Sequence, residues 1–174
     1  MNPKILKIIY GIIIVILIGA VVYFAVGKKS VLLSSDTNLK NIALSLNDVQ
    51  GFNFVAETNF QKGVGSPNAS AGYLINFDNS VKVGGKGVSG YKDLSNSLYI
   101  FNSLEDVKKD FVKNVQGFQN VKIEKIGDES NAFSGGTAVV VWFRKNNVMS
   151  SISLIGGDTN EAVKFAKLVE SRIK

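Results

Sequence analysis

The chain has 174 residues but no cysteine and no histidine, only two prolines and a single tryptophan. Without cysteine there can be no disulfide, no lipid-modified thiol and no thiolate nucleophile. Without histidine as well, the usual zinc, haem and iron–sulfur ligand sets are closed, and so are Ser-His and Cys-His nucleophile pairs. Only an all-oxygen site of the calcium or magnesium kind stays open. No metal and no cofactor is therefore expected. Strong charge is missing too. The net charge is +6, of which Lys4 and Lys7 carry two, leaving +4 spread over residues 28–174. Such a mild, unclustered excess does not argue for nucleic acid.

What the chain does have is one long apolar run. Ile8 to Gly27 holds twenty residues without a charge, between Lys7 and Lys28. At ~1.5 Å per residue a helix of that length spans about 30 Å, the thickness of a bilayer core. A cleaved signal would have a shorter run and small residues before its cut site. This run ends in Val-Tyr-Phe-Ala-Val and reads as an uncleaved anchor, with Tyr10 and Tyr23 near its two ends. A pilin-type start lacks support, since neither a processing site before the run nor an acid inside it is present. A core helix would need a domain surrounding it on every face. The partner expected for 8–27 is thus the lipid bilayer. Lys4 and Lys7 against Lys28 and Lys29 tip the positive-inside balance toward a cytoplasmic N-terminus and an outward domain. The sequon Asn68-Ala69-Ser70 fits that side but carries little weight alone.

The organisation expected is a tail at 1–7, an anchor at 8–27, a polar tether at 28–40 and one domain at 41–174. Within the domain, Ile42, Leu44 and Leu46 alternate as a first strand. Residues 52–60 alternate again as a half-buried strand, with Phe52, Phe54, Ala56 and Thr58 on one face and Asn53, Val55, Glu57 and Asn59 on the other. Residues 61–72 read as a Gly/Ser/Asn loop, 73–77 as a strand, and 80–90 as a glycine-rich loop. That last stretch is no P-loop, because Lys86 precedes Gly87 rather than Ser or Thr. Residues 97–101 read as a strand. Ser103 then caps a helix with Leu104, Val107, Phe111 and Val115 on its apolar stripe, stopped by Gly117. Residues 121–126 suggest a strand running into a Gly127-Asp128 turn.

Residues 137–155 carry the strongest β signal, a hairpin turning at Lys145-Asn146-Asn147. Asp158 and Glu161 form a capping box for a last helix. Ala162, Phe165, Ala166, Val169 and Ile173 make its buried stripe, and Lys164, Lys167, Glu170 and Arg172 its wet face. The class is α+β, an antiparallel sheet packed by two amphipathic helices.

Several stretches in this order carry a resemblance. They are Leu44–Leu46 with Gly51-Phe52, Phe101–Ser103, Ile126–Ser130, Val140–Asn147 and Ala166–Glu170. Over about residues 40–174 the chain resembles the PsbP/Mog1-like superfamily, particularly small extracytoplasmic proteins of archaea and bacteria. The resemblance implies a central antiparallel sheet flanked by helices. It also implies an accessory or binding role, since known members associate with photosystem II or with a small GTPase. No member's site residues carry over.

Four residues stand out as contact candidates. Arg144 closes an apolar strand and can pair with Asp128 or Glu129, or present its guanidinium to an acidic ligand. Trp142 and Phe143 point to opposite faces, so one is core and the other packs under a helix or anchors a partner. The function expected is a non-enzymatic, membrane-tethered domain that binds a protein partner in the envelope. One alternative is a ligand-sensing module with loops 61–72 and 80–91 as pocket lips. A remote one is a Ser/Lys hydrolase, although no recognisable motif supports it.

Overall fold

Alternation and capping account for most of the architecture. A computed structural model describes residues 32–80, 90–118 and 120–174 of the chain. Seven strands form one antiparallel sheet: β1 Asn53–Phe60, β2 Ala69–Asp78, β3 Asp93–Phe101, β4 Asn120–Val121, β5 Glu129–Gly135, β6 Ala138–Lys145 and β7 Val148–Ile155. Their spatial order is β1-β2-β3-β7-β6-β5-β4. After β3 the helix α1, Leu104–Val115, carries the chain from the sheet centre to its far edge. The strands then return one by one until β7 lies against β3, and helix α2, Thr159–Arg172, closes the chain. The fold class is α+β, as expected. Among the described residues no helix is long and apolar enough to cross a membrane. The anchor expected at 8–27 and the tip of the glycine-rich loop at 81–89 lie outside them.

The sheet buries both faces. On one, Tyr73, Ile75, Phe77, Leu94, Leu98, Val141, Phe143, Ile152 and Leu154 form the main core with α2. The expected α2 stripe of Ala162, Phe165, Ala166, Val169 and Ile173 is buried there. On the other face, Tyr99, Phe101 and Met149 meet Val107 and Phe111 of α1, with Trp142 and Val115 packed alongside. Ser103 caps α1 by accepting a bond from the Asp106 amide at 3.0 Å. The β6–β7 hairpin turns at Asn146-Asn147, and Asn146 supplies the left-handed conformation (φ 54°).

Residues 32–52 depart most from expectation. The alternation of Ile42, Leu44 and Leu46 makes no strand. It makes two 3-10 turns, Leu39–Asn41 and Leu46–Asp48. Asn38 caps the first by accepting from the Lys40 amide, and a Ser45/Asp48 capping box closes the second. This segment is a strap lying on the α2 face, with Leu39, Ile42, Ala43, Leu44 and Val49 buried in the main core. Chain expected to be tether is thus already held. The Leu33 amide donates to Asn147 Oδ1 at 2.7 Å, and Asn147 Nδ2 donates back to the Leu33 carbonyl at 2.8 Å.

A second departure lies in β1, where a bulge between Phe54 and Ala56 breaks the alternation. Glu57 pairs with Ile75 and Phe54 with Phe77, so both fall on the face of Ile75 and Phe77. The strand is not half-buried: every residue but Phe60 is exposed. Three smaller corrections follow. Strand β2 begins at Ala69, inside the expected loop; the ladder near 121–126 covers only Asn120–Val121; and residues 129–135, for which no strand is expected, form β5.

Asn96 is the buried polar group on which the strap depends. Its Oδ1 accepts from the Leu44 amide at 3.0 Å, and its Nδ2 donates to Ser150 Oγ at 3.1 Å and to the Ser151 carbonyl at 3.3 Å. Asn96→Ala leaves these groups buried without partners, each costing about 1–3 kcal/mol. Urea unfolding should therefore show a loss of at least ~2 kcal/mol, and amide exchange should show Leu44 deprotected before the β6–β7 hairpin.

Candidate functional site

Three of the four residues singled out from sequence, Arg144, Asp128 and Glu129, come together, but as a brace. Glu129 pairs with Arg144 across β5 and β6. Arg144 Nη2 donates to Glu129 Oε1 at 2.9 Å and Nη1 to Asp128 Oδ2 at 3.5 Å. Asp128 Oδ2 also accepts from the Asn146 amide at 2.8 Å, which ties the Gly127-Asp128 turn to the β6–β7 hairpin. The bond from Arg144 holds the Glu129 carboxyl below its ordinary range, with the charges of Arg144, Lys108 and Lys125 adding to it. Gly127 is required beside this brace. Its φ is +62°, and a Cβ there would sit 2.4 Å from the Arg144 carbonyl oxygen. Phe143 is fully buried in the main core, while Trp142 is half-buried against the α1 cluster.

A roomier concavity among the described residues lies elsewhere. A pocket of about 680 Å³ opens between the strap and the β1–β2 end of the sheet. That volume falls within the range of small-molecule sites. Residues 40, 41 and 43–46 of the strap form one wall; Phe54, Glu57, Tyr73, Ile75 and Phe77 form the other, and Arg172 closes one end. Leu46 and Phe54 at its mouth are 52% and 50% exposed, large apolar groups left in water. None of the four sequence candidates lines this pocket, and neither does any residue of loop 61–72. That loop folds over the opposite face, where Ser66 and Asn68 bond the buried Asp110 of α1. The lips of this pocket are the strap and β1; of the expected lips, loop 61–72 takes no part in it and residues 81–89 lie outside the described residues. Asn68, the sequon asparagine, gives its side-chain amide to Asp110 Oδ1 at 2.7 Å.

The pocket's polar groups form two ties. At one end Tyr73, with its ring buried, donates its hydroxyl to Glu57 Oε2 at 2.5 Å, and Lys40 Nζ donates to Glu57 Oε1 at 2.6 Å. Lys40 and then Tyr73 hold the Glu57 carboxyl below its ordinary range. Burial, reinforced by Glu57, pushes the Tyr73 phenol up, so the hydroxyl stays a donor. At the other end Arg172 donates to the Ala43 carbonyl at 2.5 Å and to Asp48 Oδ1 at 2.6 Å. Burial raises the Asp48 carboxyl, but its bonds to Arg172 and Ser45 outweigh that and leave it low. Arg172 was expected on the wet face of α2; it clamps the strap instead. Glu161 departs similarly. Asp158 accepts from the Glu161 amide at 2.9 Å, but the Glu161 carboxylate turns to Lys92 Nζ at 2.6 Å instead of closing the capping box.

Sequence reasoning missed Glu57 and Tyr73 because strict alternation placed Glu57 away from Phe54. An acid within an otherwise apolar and amide-bearing edge strand was the available signal.

The sequence matches no family model and no curated protein. Among solved structures, the chain is similar to the extracellular domain of PknH from Mycobacterium tuberculosis, with a TM-score of 0.56 and 8% identity. That likeness covers 83% of this chain and 98% of the other. A GTP-binding regulator, TM1622 from Thermotoga maritima, gives a TM-score of 0.42 at 14% identity, over 81% of this chain and 87% of its own. At 8% identity the first likeness establishes a shared fold and nothing about activity.

The two carboxylates that tie the strap, Asp48 within it and Glu57 on β1, are both held below their ordinary values of 3.8 and 4.5. A depressed folded-state pKa contributes stability that is full above the unfolded value and lost as pH falls through the folded one. Acidification below about pH 4 should thus loosen the strap before the sheet. Amide exchange from pH 6 to 2.5, corrected for intrinsic rates, checks this: Ala43 and Leu44 should lose protection at higher pH than Val141 and Ile152. Simultaneous loss would show that these ties do not set the strap's acid stability.

Proposed function

We propose that this protein is a single-pass, membrane-anchored, non-enzymatic domain of PsbP/Mog1-like type that faces the extracytoplasmic side and works by binding. The observation that carries the reading is the pocket between strap and sheet. Its volume of about 680 Å³, aromatic and aliphatic walls and few fixed polar groups suit a ligand better than a flat surface suits a partner. The exposed Leu46 and Phe54 at its mouth are groups that a bound molecule would cover. The protein thus acts as a ligand-binding accessory domain of the envelope, with residues 8–27 in the lipid bilayer. An envelope protein partner would then read the ligand's arrival. The orientation rests on Lys4 and Lys7 before the apolar run, and the fold shared with an extracellular domain is compatible with it.

The absence of native cysteine makes one experiment sufficient. Single Lys164→Cys and Leu46→Cys variants are labelled with a membrane-impermeant maleimide in intact cells, in lysed cells and after purification. Lys164 is exposed on α2, so its cysteine should label in intact cells as fully as after lysis. The Leu46→Cys thiol should label several-fold more slowly in the native envelope than in purified protein. Labelling of Lys164→Cys only after lysis reverses the orientation. Equal Leu46→Cys rates in both settings leave the pocket without an occupant and overturn the binding reading.

A further inference from the structure

Resting on that pocket, the charges around it can be sorted by which are free to meet a ligand. Arg172 is committed, with one guanidinium nitrogen on the Ala43 carbonyl and the other on Asp48. It holds the wall and has little left to offer. Glu57 is fixed differently. The bulge in β1 turns it onto the pocket face, and the buried Tyr73 holds one of its oxygens in place. Among the described residues its other oxygen meets only the Lys40 ammonium, which reaches over from the strap. The Lys40 side chain is 59% exposed, on a flexible stem, so it is the replaceable member of the pair. The pocket that this carboxylate lines is also lined by Leu44, Leu46, Phe54, Ile75 and Phe77.

A fixed group selects a ligand's charge and a mobile one yields to it, because the fixed group has already lost its freedom. An anionic head would bring like charge toward Glu57 and could be held only by a side chain that must first be ordered. A cationic head finds its counter-charge in place, and aromatic side chains in the pocket's lining favour the same sign.

We infer that the pocket takes an organic ammonium, a protonated amine on an apolar stem, which displaces Lys40 from the Tyr73-anchored Glu57 and covers Phe54 and Leu46 with its apolar part. Lys40 is thus an internal occupant of the head-group position. The chemistry recognised is shared by a free amine and by a lysine side chain in a peptide.

The test uses the full-length chain in lipid nanodiscs, titrated calorimetrically against empty nanodiscs, with 4-phenylbutylammonium as probe. The comparison ligands are 4-phenylbutan-1-ol, which has the same stem and no charge, and 4-phenylbutanoate. The ammonium should bind at least tenfold more tightly than the alcohol. Glu57→Gln should remove that difference. Lys40→Ala should raise the ammonium's affinity several-fold, and this second variant decides the matter if Glu57→Gln fails to fold. Should the alcohol bind as tightly as the ammonium, the pocket stands and the ammonium assignment falls. Tightest binding of 4-phenylbutanoate reverses the sign and makes Lys40 the recognising group. If none binds above empty nanodiscs and Leu46→Cys is unprotected in cells, the pocket reading fails and the inference with it. An acetylated Leu-Lys-Phe amide separates the sources: binding tighter than the amine places the ammonium on a peptide, and weaker binding places it on a free amine.

Discussion

A backbone segment laid across the face of a sheet has no ladder in which to spend its amides. Each group it buries must be answered by a side chain or carry a desolvation cost of a kilocalorie or more, on the order of ~1–3 kcal/mol. In this protein the answer comes from three residues far away in sequence. Asn147 meets both backbone groups of Leu33, Asn96 meets the Leu44 amide, and Arg172 meets the Ala43 carbonyl. The asparagines are almost wholly buried and serve the sheet as well, since Asn96 reaches Ser150 and Asn147 reaches the Phe101 carbonyl. Their polar atoms are satisfied only when strap and sheet are together. A strap bound by apolar contacts alone could slide along the face; one bound through directed donors and acceptors has a single register.

That register builds the pocket. Because Leu44 is pinned at Asn96 and Ala43 at Arg172, the strap runs beside β1 and β2 instead of closing over them, and Lys40 is carried to the level of Glu57. The other wall depends on one irregularity. Without the bulge between Phe54 and Ala56, alternation would send Glu57 to the opposite face from Phe54, and the pocket would lack its fixed carboxylate. An edge strand tolerates such an irregularity because its outer amides face water and have no register to disturb.

What was legible in the sequence follows from what each signal measures. The β6–β7 hairpin, the Ser103 cap, the α2 stripe and the Arg144–Glu129 pair are all local or periodic, and the residues that announce them also make the contacts. Strand β5 was not legible, because Glu-Ser-Asn-Ala-Phe-Ser-Gly has no β-branched residue. It is a strand because β6 beside it offers a ladder. The strap misled for the opposite reason: Ile42, Leu44 and Leu46 alternate, but Asn38, Ser45 and Asp48 close tight turns around them. Glu57 was misplaced because an inserted residue is invisible to a rule of period two. Arg172 read as wet surface and Asn96 carried no signal, since nothing local says that a segment fifty or more residues upstream will lie on them.

The arrangement also couples the pocket to the strap. Half of the pocket wall belongs to residues 40–46, so a ligand touching both walls can bind only while the strap is docked. Ligand and docked strap then stabilise each other by one and the same free energy, whichever is considered first. Under the proposed displacement the coupling has two opposing parts. The apolar stem adds contacts to Leu44 and Leu46, which favours docking. The head group releases Lys40 from Glu57, which removes one tie between strap and β1. The balance falls on the apolar side, because the Lys40–Glu57 pair is a solvent-exposed ion pair of small worth, whereas covering Phe54 and Leu46 removes two large side chains from water. Occupancy therefore tightens the strap through Leu44 and Leu46 even as it frees Lys40. In the sequence the strap follows the apolar run 8–27 within a few residues, so the segment that would report occupancy under this proposal is also the one nearest in sequence to the proposed anchor.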